Sequence, residues 1–326
     1  MIKKSLSEIT GPIDNELDEF SRLFKQKLKS KVLLLELITR YLHKQKGKKI
    51  RPLLVMLSSK MCGGITERSY RGASLVELLH TATLVHDDVV DNSETRRGFP
   101  SINAVWKNKI AVLMGDYLLA RGLMLAVDGN DFDFLRVITN TVKRMSEGEL
   151  LQISKTRKLN IDEETYFRII SDKTASLLST CCEIGARAST EDQEKIGAMK
   201  MFGENLGIAF QIRDDILDFI GTKKVFGKPL GGDIKEKKLT LPLIYALKQS
   251  PEDERKSILK VIRKGAGKIE VDEVISFVMK YDGINYADTV AKDYTNRALN
   301  NLGIFEKSDV KSSLESLVGF VVERKK

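Results

Sequence analysis

The chain has 326 residues, 42% of them hydrophobic and 30% charged, a balance that excludes an intrinsically disordered chain and admits one large core or two modest ones. A formal charge of +9 admits anionic partners (nucleic acid, anionic membrane surface, phosphorylated small molecules) without choosing among them, while three cysteines without metal-ligand spacing exclude a cysteine metal site. The N-terminus lacks the apolar core of a secretion signal, and the most apolar stretch, residues 110–127, is interrupted by Asp116 and Arg121, so reduced thiols, a cytoplasmic location and no membrane span are expected.

All six prolines fall at element starts or breaks and none lies between 101 and 228, which is a helical signature. Leu75, Leu78, Leu79, Ala82, Val85 and Val89 form one apolar stripe, and Ile110, Leu113, Tyr117 and Leu118 continue as another. Strand-type alternation bounded by hairpin turns is hard to find. Residues 221–240, "GTKKVFGKPLGGDIKEKKLT", are the one long loop rich in glycine and lysine, and loops of that length in compact domains are usually functional. Ser250 before Pro251 reads as a cap with a first-turn proline, Ser308 reads as the cap of a last helix, and "KYDG" and "NNLG" read as helix ends. The expectation is an all-α chain.

Two stretches carry chemistry: "VHDDVVD" sets Asp87, Asp88 and Asp91 together, and "FQIRDDILD" repeats the spacing with Asp214, Asp215 and Asp218. On a helix, positions i, i+1 and i+4 fall within an arc of roughly 100°. Like charges at that spacing destabilise a helix by a few tenths of a kcal/mol, so something outside the helix must compensate. Hard divalent cations do so, because Mg²⁺ takes oxygen ligands and is commonly shared between one or two carboxylates and a substrate phosphate. Apolar flanks bury the helices that carry both motifs, which sets them apart from a solvated acidic turn.

In this order, "GKKIRP" at 47–52, "HTATLVHDDVVD" at 80–91, "RRG" at 96–98, "GD" at 115–116, "EGE" at 147–149, "DKTA" at 172–175, "FQIRDDILD" at 210–218 and "GKPLGGDIKEKKLTLP" at 227–242 resemble the trans-isoprenyl diphosphate synthases, most of all those making octaprenyl-type chains. The resemblance covers nearly the whole chain. It implies one isoprenyl diphosphate synthase domain over 1–326, a large antiparallel helical bundle of the isoprenoid synthase type, with the two motifs facing each other. By that resemblance the six aspartates hold about three Mg²⁺ ions on an allylic diphosphate. Arg96, Lys173, Thr174, Gln211, Lys228 and Lys238 match contacts to the same substrate, and Lys48, Arg51, His80 and Arg97 match the site for isopentenyl diphosphate. A homodimer is implied by analogy. Lys46 and Lys237 stand where the family usually has glycine, and Arg213 where it is often apolar.

The growing tail in that family runs along the helix before the first motif, where one turn advances about 5.4 Å, close to one extended isoprene unit. Thr83 and Ala82 stand where short-chain enzymes often place an aromatic, which moves the stop deeper, toward Leu79, and the resemblance of "HTATLVHDDVVD" to octaprenyl-type enzymes implies a product of about 30 to 45 carbons, with geranylgeranyl diphosphate as the second reading. A terpene cyclase would not need Lys48, Arg51, His80 and Arg97. Aromatics at 7%, not interleaved with a basic stripe, give no support to nucleic-acid binding, whereas peripheral membrane contact is a candidate from the positive charge and a greasy product.

Overall fold

A computed structural model describes residues 6–44, 47, 49–220, 231–265 and 267–322. Lys48 and Lys228, both expected substrate contacts, and Lys46 lie outside the described residues, as does the first half of the glycine and lysine loop. The helices are α1 Leu6–Thr10, α2 Asp14–Lys27, α3 Leu33–Lys44, α4 Ile50–Cys62, α5 Glu67–Val90, α6 Ile102–Asp128, α7 Phe132–Lys158, α8 Glu163–Ile170, α9 Ser176–Arg187 and α10 Gln193–Ile220. After these come α11 Gly232–Lys235, α12 Leu241–Gln249, α13 Glu252–Lys264, α14 Lys268–Lys280, α15 Gly283–Asn301 and α16 Asp309–Val322. The all-α expectation holds, with one small exception. Among the described residues the only strands are Thr95–Arg96 and Phe99–Pro100, joined by a two-residue turn in which Arg97 (φ 52°) and Gly98 (φ 80°) are both left-handed. Paired left-handed residues suit a tight hairpin, so "RRG" spells a turn that presents two arginines on successive residues.

The chain divides into two compact units. One comprises residues 10–139 and 180–199, the other residues 1–9, 140–179 and 200–326. In the first, α5 and α6 pack along each other, and Leu78, Ala82 and Val85 of α5 share a core with Ala111, Met114, Leu118 and Leu125 of α6. The start of α5 is fixed by a capping box in which Thr66 and Ser69 satisfy each other's backbone N–H groups. Leu113, placed on the buried stripe by sequence periodicity, is 55% exposed. Because α6 is apolar nearly all round, periodicity could not choose its inner face. For the same reason α6 is long and apolar enough to cross a membrane by length and composition. Its Ala111, Met114 and Leu118 are instead spent on the protein core.

In the second unit the core gathers Ile212, Ile216 and Phe219 of α10 with Leu241, Ile244, Val274, Val278, Ala287 and Ala291 from the C-terminal helices. Ser308 accepts the Lys311 N–H at 3.1 Å and caps α16 as expected. Ser250 does not cap: its hydroxyl donates back to the Leu247 carbonyl at 3.0 Å, and Pro251 occupies the cap position instead. "KYDG" ends α14, but the left-handed residue there is Asp282 (φ 56°), and Gly283 opens the next helix.

Two helical glycines give a paired test. A Cβ at Gly185 would collide with the Val55 carbonyl, which cannot move, whereas one at Gly197 meets nothing within 4 Å. Gly185→Ala is expected to lower stability by about 1–3 kcal/mol, and Gly197→Ala to raise it by about 0.5–1 kcal/mol, in urea unfolding followed by circular dichroism.

Candidate active site

Both aspartate motifs end a long helix. Asp87 and Asp88 occupy the last turn of α5 with Asp91 at its C-cap, Asp214, Asp215 and Asp218 lie near the end of α10, and neither last turn holds a basic residue. The negative pole of each helix dipole therefore meets more negative charge, from Asp87, Asp88 and Asp91 on α5 and from Asp218 on α10, at a cost of about 0.3–1 kcal/mol per ionised carboxylate. Compensation has to come from elsewhere in the fold.

In the first unit it comes from the hairpin. Asp88 is 3% exposed and accepts a 2.6 Å hydrogen bond from Arg96 Nε. Burial raises its pKa, and Arg96 opposes the rise. Asp87 and Asp91, one turn apart, are exposed. The three carboxylates thus do not share one environment: one is locked against an arginine and two face outward. Two turns before Asp87, His80 is 8% exposed, and burial together with Arg51, Arg97 and Arg96 holds it well below the ordinary histidine pKa, so it is neutral at pH 7. Arg51 is pulled below its ordinary pKa by burial, and its Nε is buried without a hydrogen-bond partner. A cavity of about 590 Å³ opens here, lined by Lys49, Glu77, His80, Asp88, Arg96 and Arg97 on its polar side and by Phe20, Phe24, Leu28 and Leu118 on its apolar side. His86 belongs to a different contact. Its ring stacks over Gly115, where any side chain would collide, and its Nε2 lies 3.2 Å from the Val112 carbonyl and 3.3 Å from Asp116, so "GD" is a seat for histidine.

In the second unit a cavity of about 220 Å³ is lined by Tyr166, Lys173, Thr174, Gln211, Asp215, Asp233, Lys238 and Thr240. Lys173 and Thr174 sit on a π-helical turn, Ser171–Ala175, pinned by Arg144, which bonds Asp172 and Glu204 at 2.8 Å each. Lys173 pairs with Glu149 of "EGE" and donates to Gln152 at 2.9 Å. Thr174 donates to Gln211 Oε1 at 2.9 Å, and Gln211 Nε2 donates to Asp215 Oδ1 at 2.8 Å. Tyr166 supplies the other half of that carboxylate's shell, donating to Oδ2 at 2.6 Å. Asp218 is occupied by backbone. Its two oxygens accept the N–H groups of Gly232 and Asp233 at 3.0 Å, which fastens the start of α11 to the end of α10.

Of the described residues expected at the site, His80, Asp88, Arg96 and Arg97 line the first cavity and Lys173, Thr174, Gln211, Asp215 and Lys238 the second, whereas Asp87, Asp91, Asp214, Asp218, Arg51, Leu79, Ala82 and Thr83 line neither. Tyr166, Glu77 and Asp233 escaped the sequence reading. Tyr166 and Glu77 each lie on a helix bearing an expected contact or next to one, and only packing reveals them. Lys237 is left-handed (φ 58°), which explains why glycine is usual there, and Arg213 is held by Asp288 at 3.3 Å.

Burial above all, with Asp233 beside it, pushes Asp215 up to about 8, and burial with Asp218 pushes Asp233 up to about 6. Carboxyl groups crowded this closely and supplied only with oxygen donors fit a hard divalent cation. Among the described residues no group of three or more His, Cys, Asp or Glu side chains could hold such an ion alone. Without cation, raised carboxyl pKa values cost stability as they ionise. Asp215 and Asp233 hold more protons in the folded protein than in the unfolded chain between the ordinary carboxyl range and about pH 8 and 6, so their contribution to stability falls with rising pH across those windows. Asp215→Asn is expected to flatten this slope in metal-free thermal unfolding. Tyr166→Phe and Asp215→Asn are expected to be non-additive in a double-mutant cycle on kcat, coupled by about 1 kcal/mol or more, because the tyrosine acts through that carboxylate.

Residues 32–278 match the model of the polyprenyl synthetase family. The chain is 35% identical over 311 residues to geranylgeranyl diphosphate synthase of Saccharolobus solfataricus, covering 93% of this chain and 94% of that one. Among solved structures, polyprenyl synthase of Caulobacter crescentus, complexed with calcium and isoprenyl diphosphate, superposes with a TM-score of 0.91 at 31% identity over the whole of both chains. A decaprenyl diphosphate synthase of Rhodobacter capsulatus superposes with 0.92 at 32% identity over 99% of this chain and all of that one. With two aspartate motifs on helix ends and cationic cavities beside each, the chain belongs to the polyprenyl synthetase family and is a trans-polyprenyl diphosphate synthase, an all-α prenyltransferase.

Proposed function

We propose that the whole chain, 1–326, works as one Mg²⁺-dependent synthase domain that joins isopentenyl diphosphate to an allylic prenyl diphosphate in repeated trans head-to-tail additions, stopping at about 30 to 45 carbons for a quinone side chain. It would do so as a cytoplasmic homodimer. The observation that carries the reading is the placing of cations from other elements beside each motif: Arg96 bonded to Asp88 in one unit, and Lys173 and Lys238 lining the cavity that Asp215 also lines in the other.

Asp87, Asp88, Asp91, Asp214, Asp215 and Asp218 would serve about three Mg²⁺ ions, some of them directly and some by holding their neighbours in place. Bound ions would neutralise diphosphate oxygens and ease departure of pyrophosphate. The protein's own part is positional. Lys173, Lys238, Arg96 and Lys228 would add positive charge where pyrophosphate leaves. Thr174 and Gln211, already joined to each other, can turn oxygen dipoles toward the allylic carbocation. Arg51, Arg97 and Lys48 would take the second diphosphate, with neutral His80 as hydrogen-bond donor. The double bond of isopentenyl diphosphate would attack the cation, and the departing pyrophosphate would accept the proton lost from the adduct.

The long product is supported by Ala82 and Leu79, each 1% exposed in α5, with Thr83 turned back to donate to the His80 carbonyl at 2.8 Å. Thr83 and Ala82 place no aromatic side chain four and five residues before Asp87, while Leu84, three before it, lines the cavity beside His80. A shorter product is the second reading, favoured by the similarity to the geranylgeranyl diphosphate synthase of Saccharolobus solfataricus.

Chromatography of dephosphorylated products is expected to show Ala82→Phe shortening the product by at least one five-carbon unit. An unchanged length would refute the ruler. Incubation of farnesyl diphosphate with Mg²⁺ should give product only when isopentenyl diphosphate is added; product without it points to a cyclase. Asp87→Asn and Asp214→Asn should each lower kcat/KM by about 100-fold or more, roughly 3 kcal/mol of transition-state stabilisation.

A further inference from the structure

The chain's excess positive charge is concentrated. Residues 22–51 hold eleven lysines and arginines and one acid, Glu36, a formal charge of +10, so the other residues together sum to −1. Some of those cations adjoin the cavity beside His80, but Lys29, Lys31 and Arg40 do not line it. They surround something else.

Between α2 and the first turns of α3, four large aliphatic side chains stand in solvent: Val32 (56% exposed), Leu33 (74%), Leu34 (39%) and Leu37 (48%). The opposite face of α3 is fully employed, with Ile38 buried in the core and Leu35 and Leu42 packed on it. The exposed residues are therefore a surplus that folding of this unit does not use. Lys29 and Lys31 are exposed immediately before them and Arg40 and Lys44 immediately after, along the line Leu33, Leu37, Arg40, Lys44 that follows one side of the helix. The turn is anchored from beneath, because Arg121 of α6 donates to the Lys27 carbonyl at 3.2 Å, and Leu28 is buried against the same core. The local acid, Glu36, is engaged by Arg40 at 2.9 Å.

We propose that the tip of the α2–α3 turn, Val32, Leu33, Leu34 and Leu37 within its collar of Lys29, Lys31 and Arg40, is a docking surface for an anionic lipid bilayer. Two complementary terms meet there. Aliphatic side chains on a rigid helix start can enter the acyl boundary, and lysines and arginines beside them meet lipid phosphates, each worth about 1 kcal/mol near an anionic surface. Nucleic acid would use the charge but leave the aliphatic tip in water. A second copy of this chain would use the tip but bring two strongly positive surfaces together. An anionic bilayer satisfies both. The binding needs no turnover, so it stands apart from the proposed chain length and metal requirement, although a docked enzyme could release a water-insoluble prenyl product where it dissolves.

The experiment is flotation of the full chain with vesicles of phosphatidylcholine containing about one-third phosphatidylglycerol, alongside pure phosphatidylcholine vesicles. Salt is varied from low to physiological, where the screening length falls to about 8 Å. The chain is expected to float with anionic vesicles, much less with neutral ones, and less as salt rises. Leu33→Gln with Leu37→Gln should reduce vesicle partitioning by about tenfold or more while leaving prenyl transfer in solution unchanged. Lys29→Gln with Lys31→Gln should weaken binding several-fold and flatten its salt dependence. The proposal is overturned if the unaltered chain stays with the unbound protein, or if the double leucine variant floats as well as the parent. It is overturned equally if that variant changes only the sedimentation mass, which makes the tip a contact between copies, or if the parent prefers a DNA duplex to the vesicles.

Discussion

Carboxylates at the wrong ends of helices set the terms for the rest of the structure. α5 and α10 each deliver aspartates to a C-terminal end, where the helix dipole already concentrates negative charge and no lysine or arginine of the last turn relieves it. The fold answers with cations and donors brought from other elements: a two-residue hairpin that lays Arg96 on Asp88, a π-helical turn that carries Lys173, and a tyrosine and a glutamine that enclose Asp215. Each answer is partial. Asp215 remains near 8 and Asp233 near 6, well above the ordinary carboxyl range.

That incompleteness has a cost in stability that the surrounding packing offsets. Tyr166 is buried with its hydroxyl committed to Asp215, and Asp218 is spent on two backbone N–H groups that begin α11. The second motif therefore serves the architecture through Asp218. Asp218 ties the end of α10 to the start of α11, and Asp233 and Lys238 line the cavity that Gln211 and Thr174 also line. Removing either bond would be felt first as a loosened site.

The helical class and the aspartate clusters were legible because both leave periodic or repeated marks: the proline-free run from 101 to 228, and two copies of one spacing. The division of labour within each cluster was not. Asp87, Asp88 and Asp91 look alike in sequence, and only the return of the hairpin shows that Asp88 is buried against Arg96 while its neighbours are exposed. Leu113 went astray because α6 is apolar on every side, so no period distinguishes its core face. Ser250 went astray because a hydroxyl before proline can also bond backward to the preceding helix. Glu77 and Tyr166 carry no local signature at all, since their roles come from residues distant in sequence.

The most direct measurement is calorimetric titration of inorganic pyrophosphate into the unaltered protein, with Mg²⁺ and in EDTA, and of Mg²⁺ alone. If the aspartates are completed by metal and diphosphate together, pyrophosphate binds at least tenfold more tightly with Mg²⁺, and Mg²⁺ alone binds weakly. Equal affinity in EDTA, or tight saturation by Mg²⁺ without pyrophosphate, would contradict the account.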